Sequence, residues 1–494
     1  MSELPKVRDE QWDWDFFLSK RKEVLGQWST GAQLDTPTAL EEAIAYHREQ
    51  PWYKYAALRN RRAEEENRIQ IVPQVGHALV EHTLDHMRIS EDLMPDRWYV
   101  LTDTYTRKGQ FAKAAEAVAR SKRDGFSYLN GYPVVEHGVA GARMINEGTR
   151  AAMGTDNNDE DARLAWEILL AGGWTWGTIK SLEQVIQHSR DYPIENMIEN
   201  HQYMDRLTGH FTENGVPILR RASANLPGWD TLGFKVTVAL VECILAARQG
   251  TRFMDLSLGI GMNLVQDVAA MRALKKLAKK YTADISDDIE LYPWTYFFLG
   301  DWPLNPNQMV GQIAWNAAVS ALGGANGMII KSPDEAEFTP TGDGFRQAIE
   351  MAGQVARLVS GQRLPDAGDV ALEQEMIELE VESVLARLLE LGDGDLAQGI
   401  CAGVKDGTLD TMFSPWRPLK GAVKNVRDAS GAFRYLEAGN VPLPNEVREY
   451  NSQKIKERES KTGESAGLRW VIEEATWASR PLLDEIAERN YWND

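Results

Sequence analysis

Trp98-Tyr99-Val100-Leu101-Thr102-Asp103-Thr104-Tyr105-Thr106-Arg107 is the stretch whose reading decides the fold. Its first half is aromatic and β-branched and reads as a strand. Lys108-Gly109-Gln110-Phe111 follows, and a helix is predicted from Ala112 to Ser121. The unit is therefore strand, loop, helix, with a cation where the strand gives way to the loop. Arg107 suits a carboxylate there, because its planar fork donates two parallel hydrogen bonds. An arginine that merely caps a surface loop is the plainer alternative.

Working outward, the same unit recurs. Strand-like runs are read at 68–73, 98–103, 126–130, about 150–155, 216–220, 253–258, 289–297 and 326–331. Helical runs alternate with them: Gly76–Met87, Ala112–Arg123, Asp159–Ala171, Glu195–Asn214, Thr237–Gln249, Leu264–Tyr281 and Val310–Leu322. Alternation of this kind argues for an α/β fold built on a parallel sheet. About eight units over roughly 270 residues fit a (β/α)8 TIM barrel, which places substrate ligands where its strands end. Thr175–Ile194 could hold a further strand but reads as more helical. The expected layout is a helical N-terminal extension (1–66), the barrel (67–341), and a helical, loop-rich C-terminal lobe (342–494).

The chain has 494 residues, enough for one large barrel with additions. Its net charge of −19 repels phosphate backbones, so nucleic acid is not an expected partner. Cys243 and Cys401 are the only cysteines. No disulfide framework is expected, and a reducing cytoplasm is the expected location. Met1–Trp14 has no apolar segment like that of a signal peptide, and no run approaches the ~20 apolar residues of a membrane span.

Familiar chemical motifs do not appear. All eight histidines lie at or before His210, and none pairs with a cysteine at zinc-site spacing. His82 and His86 stand four apart, but Thr83-Leu84-Asp85 between them lacks the zincin glutamate. Gly259-Ile-Gly261 has Leu264 where a dinucleotide loop needs its third glycine. No phosphate-binding loop or Gly-x-Ser-x-Gly is present. Two other strand ends carry usable groups. Asn130-Gly131 offers an amide that donates and accepts, beside a residue that permits close approach; an ordinary Asn-Gly turn is the alternative. Lys331-Ser332-Pro333-Asp334-Glu335 offers a cation and a carboxylate four apart. These could grip a polar ligand such as a ribose, close the barrel rim as an ion pair, or supply a Schiff-base lysine.

Ordered motifs along nearly the whole chain resemble the large, epsilon-type component of glutamate mutase (methylaspartate mutase). They include Thr104-Tyr-Thr-Arg107, Leu129-Asn-Gly131, Ala171-Gly-Gly-Trp-Thr175, Gln266-Asp-Val-Ala-Ala270, Lys331-x-Pro-x-Glu335-Ala336, Val426-Arg-Asp428 and Arg434-Tyr-Leu-Glu-x-Gly-Asn-Val-Pro442. The resemblance implies an isomerase that uses adenosylcobalamin for a radical carbon-skeleton rearrangement, L-glutamate to 3-methylaspartate. It implies a homodimer of this chain within a heterotetramer. The partner is a small cobalamin-binding subunit carrying Asp-x-His-x-x-Gly, a motif this chain lacks. It places Lys331 and Glu335 at the adenosyl ribose, Asn130, Gly131 and Gly76 around the cofactor, and Arg107 on a substrate carboxylate.

The departures fall in the substrate pocket. Two further family arginines align with Gln74 and with Ala152 or Met153. The family glutamate falls at Thr178, and its two tyrosines at Gln184 and His188. The expected set is thus Arg107, Thr178 and His188 as catalytic residues, and Arg107, Gln74, Met153 and Gln184 as substrate contacts. Each bidentate arginine lost from a buried site costs roughly 2–5 kcal/mol of carboxylate binding. Arg150, Arg220 and Arg221 are candidate replacements. The pocket therefore also fits radical chemistry on another small acid, a monocarboxylate or 2-oxo acid. A third reading is a non-catalytic partner of the cobalamin-binding subunit.

Overall fold

The computed structural model describes residues 7–156, 160–335 and 340–481. A parallel sheet is built from β1 (Gln70–Val72), β2 (Gln74–Val75), β3 (Arg97–Val100), β4 (Ala152–Asp156), β5 (Trp176–Thr178), β6 (Leu219–Ala224), β7 (Phe253–Gly259), β8 (Glu290–Tyr296) and β9 (Gly327–Ile329). Its order is β1-β9-β8-β7-β6-β5-β4-β3-β2. The two ends are halves of one strand. β1 pairs with β9 and β2 pairs with β3, while Pro73 between them has no N–H to donate and accepts from Tyr99 N at 3.1 Å. The sheet thus closes as an eight-stranded α/β barrel.

Two strand expectations are corrected. Residues 126–130 form no strand; they belong to a loop whose Tyr132 makes one isolated bridge to Thr102. The place in the ring is taken by β5, followed at once by the helix Leu182–His188. A three-residue strand leading straight into a capped helix leaves little period-2 signal, whereas Phe126-Ser-Tyr-Leu129 alternates like a strand and is not one. The helix expected from Asp159 is seen over Arg163–Ala171; Asp159 itself lies outside the described residues.

Large side chains on one strand fill the barrel interior opposite glycines on the next. A Cβ on Gly154 would stand 2.3 Å from the Trp176 ring, and one on Gly327 would stand 2.4 Å from Trp294. Below them the helix Ala56–Glu65 closes the N-terminal end, with Ala56 and Ala57 packed among Val72, Tyr99, Trp176 and Trp294. The other N-terminal helices spread over the outside of the barrel. Arg21 pairs with Glu167 at 3.0 Å, and both are buried.

Beyond the barrel, the helix Gly342–Leu358 packs on Pro306–Gly323 and on β1, completing the eighth strand–helix unit. The helix Gly368–Leu391 lies against Leu264–Thr282 and Leu232–Arg248. The C-terminal part also holds two strands, which the sequence reading did not name. β10 (Lys424–Arg427) and β11 (Phe433–Glu437) form an antiparallel hairpin with Val426 opposite Arg434. Its turn is stabilised by Asp428 Oδ1, which accepts from the Ser430 and Ala432 amides at 2.8 and 3.1 Å. The hairpin rests on the loop after β7, where Arg427 donates to Gly261 O at 3.1 Å. The helices Asn445–Thr462 and Leu468–Thr476 follow, while 482–494 and the motif residue Ala336 lie outside the described residues. Among the described residues no helix is long and apolar enough to cross a membrane.

Candidate functional site

Strand alternation sends every second side chain into the barrel. At the C-terminal end that layer is polar. Gln74 comes from β2, Tyr99 from β3, Asp156 from β4, Arg221 from β6, Ser257 from β7 and Tyr296 from β8, and Lys331 stands just beyond β9. Lys331 Nζ donates to Gln74 Oε1 at 2.9 Å and to Glu335 Oε1 at 2.7 Å, so the three form a chain. Burial works against the Lys331 ammonium. Glu335 and the Tyr296 hydroxyl outweigh it and raise its pKa above the ordinary lysine value. An amine held protonated is a poor nucleophile, so the Schiff-base alternative loses its basis.

A second chain crosses the other side of the lumen. Arg221 Nη1 donates to Asp156 Oδ2 at 2.6 Å and Nη2 to Ser257 Oγ at 3.0 Å. The Gln184 amide donates to the other Asp156 oxygen. Gln184 also caps its own helix, accepting from Ser181 N at 3.2 Å. Burial pushes the Asp156 carboxyl up, against the pull of Arg221. It pushes Glu183 higher still, with Asp156 adding repulsion. The Arg221 Nε, Gln74 Nε2 and Glu335 Oε2 atoms are buried and have no hydrogen-bond partner among the described residues.

Arg107 lies above this layer, at the end of the helix Thr104–Arg107, which Asp103 caps through bonds to the Tyr105 and Thr106 amides. Asn130 Oδ1 accepts from Thr104 N at 3.1 Å and Thr104 Oγ1 at 2.9 Å. Thr104 Oγ1 in turn accepts from Arg107 Nη2 at 3.1 Å. Asn130 therefore positions Arg107 through Thr104. The Arg107 Nε is buried without a partner, and no carboxylate pairs with this guanidinium among the described residues. His188 ends its helix in a recess that is open to water yet crowded by protein. Desolvation, then the charges of Lys180 and Arg107, lower its pKa to about 4.

The structure brings together Gln74, Gln184, Lys331 and Glu335 at the lumen, and Arg107, Asn130 and His188 at its mouth. Other expected residues point elsewhere. Met153 packs outward among Trp98, Val100 and Trp174; the inward residue at the end of β4 is Asp156. Thr178 Oγ1 accepts from Arg220 at 2.5 Å, in a cluster with Asp205 and Glu242 on the helix side of the sheet. Arg150 is exposed at the opposite end of β4. Of the candidate replacement arginines, Arg221 alone of the three reaches the lumen. Gly76 and Gly131 serve close chain packing: a Cβ on Gly76 would stand 2.6 Å from Leu101 O, and one on Gly131 2.6 Å from Asp103 N. Asp156 and Tyr296 escaped the sequence reading, and Arg221 was read there only as one of three candidate replacement arginines. Asp156 and Tyr296 are the last residues of β4 and β8, whereas Arg221 stands inside β6, Leu-Arg-Arg-Ala-Ser-Ala.

The family model described as Methylaspartate mutase E chain (MutE) matches residues 51–483. The glutamate mutase epsilon subunit of Desulfitobacterium hafniense is 35% identical over 472 residues, 94% of this chain and 96% of that protein. That of Escherichia coli O157:H7 is 32% identical over 483 residues, 97% of this chain and 99% of its own length. That of Haloarcula marismortui is 31% identical over 474 residues, 94% of each.

Proposed function

From the premise that this chain belongs to the methylaspartate mutase E chain family, and is thus the large component of a mutase, an isomerase, we propose radical rearrangement of a small monocarboxylic or 2-oxo acid. One observation carries the substrate reading. Arg221 and Lys331 are each neutralised by a buried carboxylate, Asp156 and Glu335, whereas Arg107 has none among the described residues. A lumen with one uncommitted guanidinium binds one carboxylate well. A second carboxylate would be desolvated opposite Gln74 and Asp156 without a cation to receive it.

Adenosylcobalamin, shared with a small subunit carrying Asp-x-His-x-x-Gly, supplies the carbon radical when bound. The residues here fit its adenosyl end, since Gln74 Nε2 and Glu335 Oε2 are buried polar atoms that lack partners among the described residues. Lys331 and Glu335 hold the ribose. Arg107, oriented through Thr104 and Asn130, holds the substrate carboxylate. The Gln184–Asp156–Arg221 chain fixes the opposite wall, and the closed barrel keeps bulk water from the reacting carbons. With one small subunit for each copy of this chain, the assembly is a heterotetramer around a dimer of this chain.

The test is reconstitution of the chain with the small subunit and adenosylcobalamin against a panel of small acids. The expected result is a visible-absorbance change of the bound cofactor and a rearranged product with a monocarboxylate or 2-oxo acid, and little with L-glutamate. Robust interconversion of L-glutamate and 3-methylaspartate, at about 1–10³ per second, would return the chain to the activity its relatives are named for.

A further inference from the structure

Gln74 stands where the resemblance placed a substrate contact, but its hydrogen bonds point to another partner. Lys331 has donors and no acceptor. Its 2.9 Å contact therefore fixes the Gln74 amide with oxygen toward Lys331 and nitrogen away from it. That nitrogen belongs to a side chain 1% exposed and has no partner among the described residues. Across Lys331, the free Glu335 Oε2 is likewise buried and unpartnered. The cluster thus presents an amide donor, an ammonium and a carboxylate acceptor in a row. The Tyr296 ring lies 5.8 Å from the ammonium.

We propose that Gln74 is a third ligand to the vicinal ribose hydroxyls of an adenosine group, beside Lys331 and Glu335, and makes no contact with the acid substrate. This rests on the adenosyl reading above. A carboxylate could accept from Gln74 and Lys331, but it has no proton for Glu335 Oε2 and is repelled by it. A vicinal diol is neutral, donates to Glu335 and accepts from both nitrogens, so it satisfies all three groups at once. The amide does here what an arginine could not. An arginine at this position would confront the Lys331 ammonium and leave it without its neutral acceptor.

The proposal is tested on the full chain reconstituted with its small subunit loaded with aquocobalamin, so that no adenosyl group is already in place. Binding of adenosine, 2′-deoxyadenosine and 3′-deoxyadenosine is measured by equilibrium dialysis. Adenosine should bind at least about tenfold tighter than either deoxynucleoside, the scale of one lost hydrogen bond per hydroxyl. Gln74→Glu keeps an oxygen for Lys331 and removes the donor; it should weaken adenosine binding about tenfold. Gln74→Met, which adds no charge, should weaken adenosine in the same direction and leave pentanoate binding unchanged. Melting temperature checks that both variants fold. Equal binding of the three nucleosides, no adenosine binding, or Gln74 variants that weaken pentanoate and spare adenosine would overturn the proposal. The comparison of the three nucleosides contains no acid, so it stands or falls separately from the substrate reading.

Discussion

The barrel holds a buried charged cluster at each end, and the two are built differently. At the N-terminal end Arg97 is fully buried and fully used. Its Nε donates to Gln70 at 3.1 Å, Nη1 to Asp255 at 2.6 Å, and Nη2 to Ala56 O at 3.1 Å and Asn60 at 2.5 Å. Asn60 and Gln70 bond each other, Asn60 closes the remaining Asp255 oxygen at 2.7 Å, and the guanidinium lies 4.4 Å from the Trp294 ring centroid. At the C-terminal end Gln74, Arg221 and Glu335 each keep a buried polar atom unpartnered among the described residues. Both ends join an arginine to an aspartate beside a glutamine. A buried polar group left unpaired costs stability unless something else completes it. The closed cluster is therefore read as structural, and the open one is where the proposed ligand finds its partners.

Breaking the closed end should have the largest effect. Arg97→Ala strands the Asp255 carboxylate in the core and should cost about 3–5 kcal/mol of stability, read by denaturant unfolding. Loss of activity with unchanged stability would erase the contrast. At the open end Arg107→Ala should reverse the pattern. Activity with any accepted acid should fall by about 10²–10³, the scale of a lost charge-assisted pair, while the melting temperature stays put. Lys331→Ala and Glu335→Gln should slow radical formation, seen as a slower absorbance change of the bound cofactor, with the fold intact. Lost stability with full radical yield would assign the pair to the rim as a structural bridge. Arginines introduced at Gln74 and Met153 should not restore glutamate turnover. Met153→Arg would force a charge among Trp98 and Trp174 and should destabilise the chain instead.

The smallest effect is a matter of pH. His47 is fully buried, its Nε2 2.8 Å from Leu170 O, and burial lowers its pKa to about 4. The unfolded chain binds this proton more readily, so the stabilising contribution is present above about 6.5 and falls as pH drops toward 4. Wild type minus His47→Gln, compared at pH 7.5 and 4.5, should differ by about 2–3 kcal/mol. A pH-independent difference would remove this assignment.

Several parts of this were legible in the residues alone. The alternation of apolar runs with amphipathic ones was enough for an α/β barrel, because each unit repeats the same local chemistry. Lys331-Ser-Pro-Asp-Glu335 was legible because a lysine and a glutamate four apart after a buried strand can meet within one loop. The family motifs were legible because they are short and ordered. Residues 126–130 misled because a strand-like period carries no information about where a sheet has room. The substrate pocket was the least legible part. The resemblance put a contact at Ala152 or Met153, but whether a residue faces the lumen or the helices depends on register, and one step of slip turns every side chain to the other face.

The sequence by itself determined the strand–helix repeat, the absence of a cobalt ligand motif, the Lys331–Glu335 spacing and the Arg107 strand end. Tertiary structure alone decided that Asp156 and Arg221 meet across the lumen, 65 residues apart in the chain, and that Gln74 turns its oxygen to a lysine 257 residues away. The reason is geometric. Local pattern records what a residue prefers, whereas closing the barrel sets which inward positions share one layer, and only that layer shows which polar atoms are left without partners.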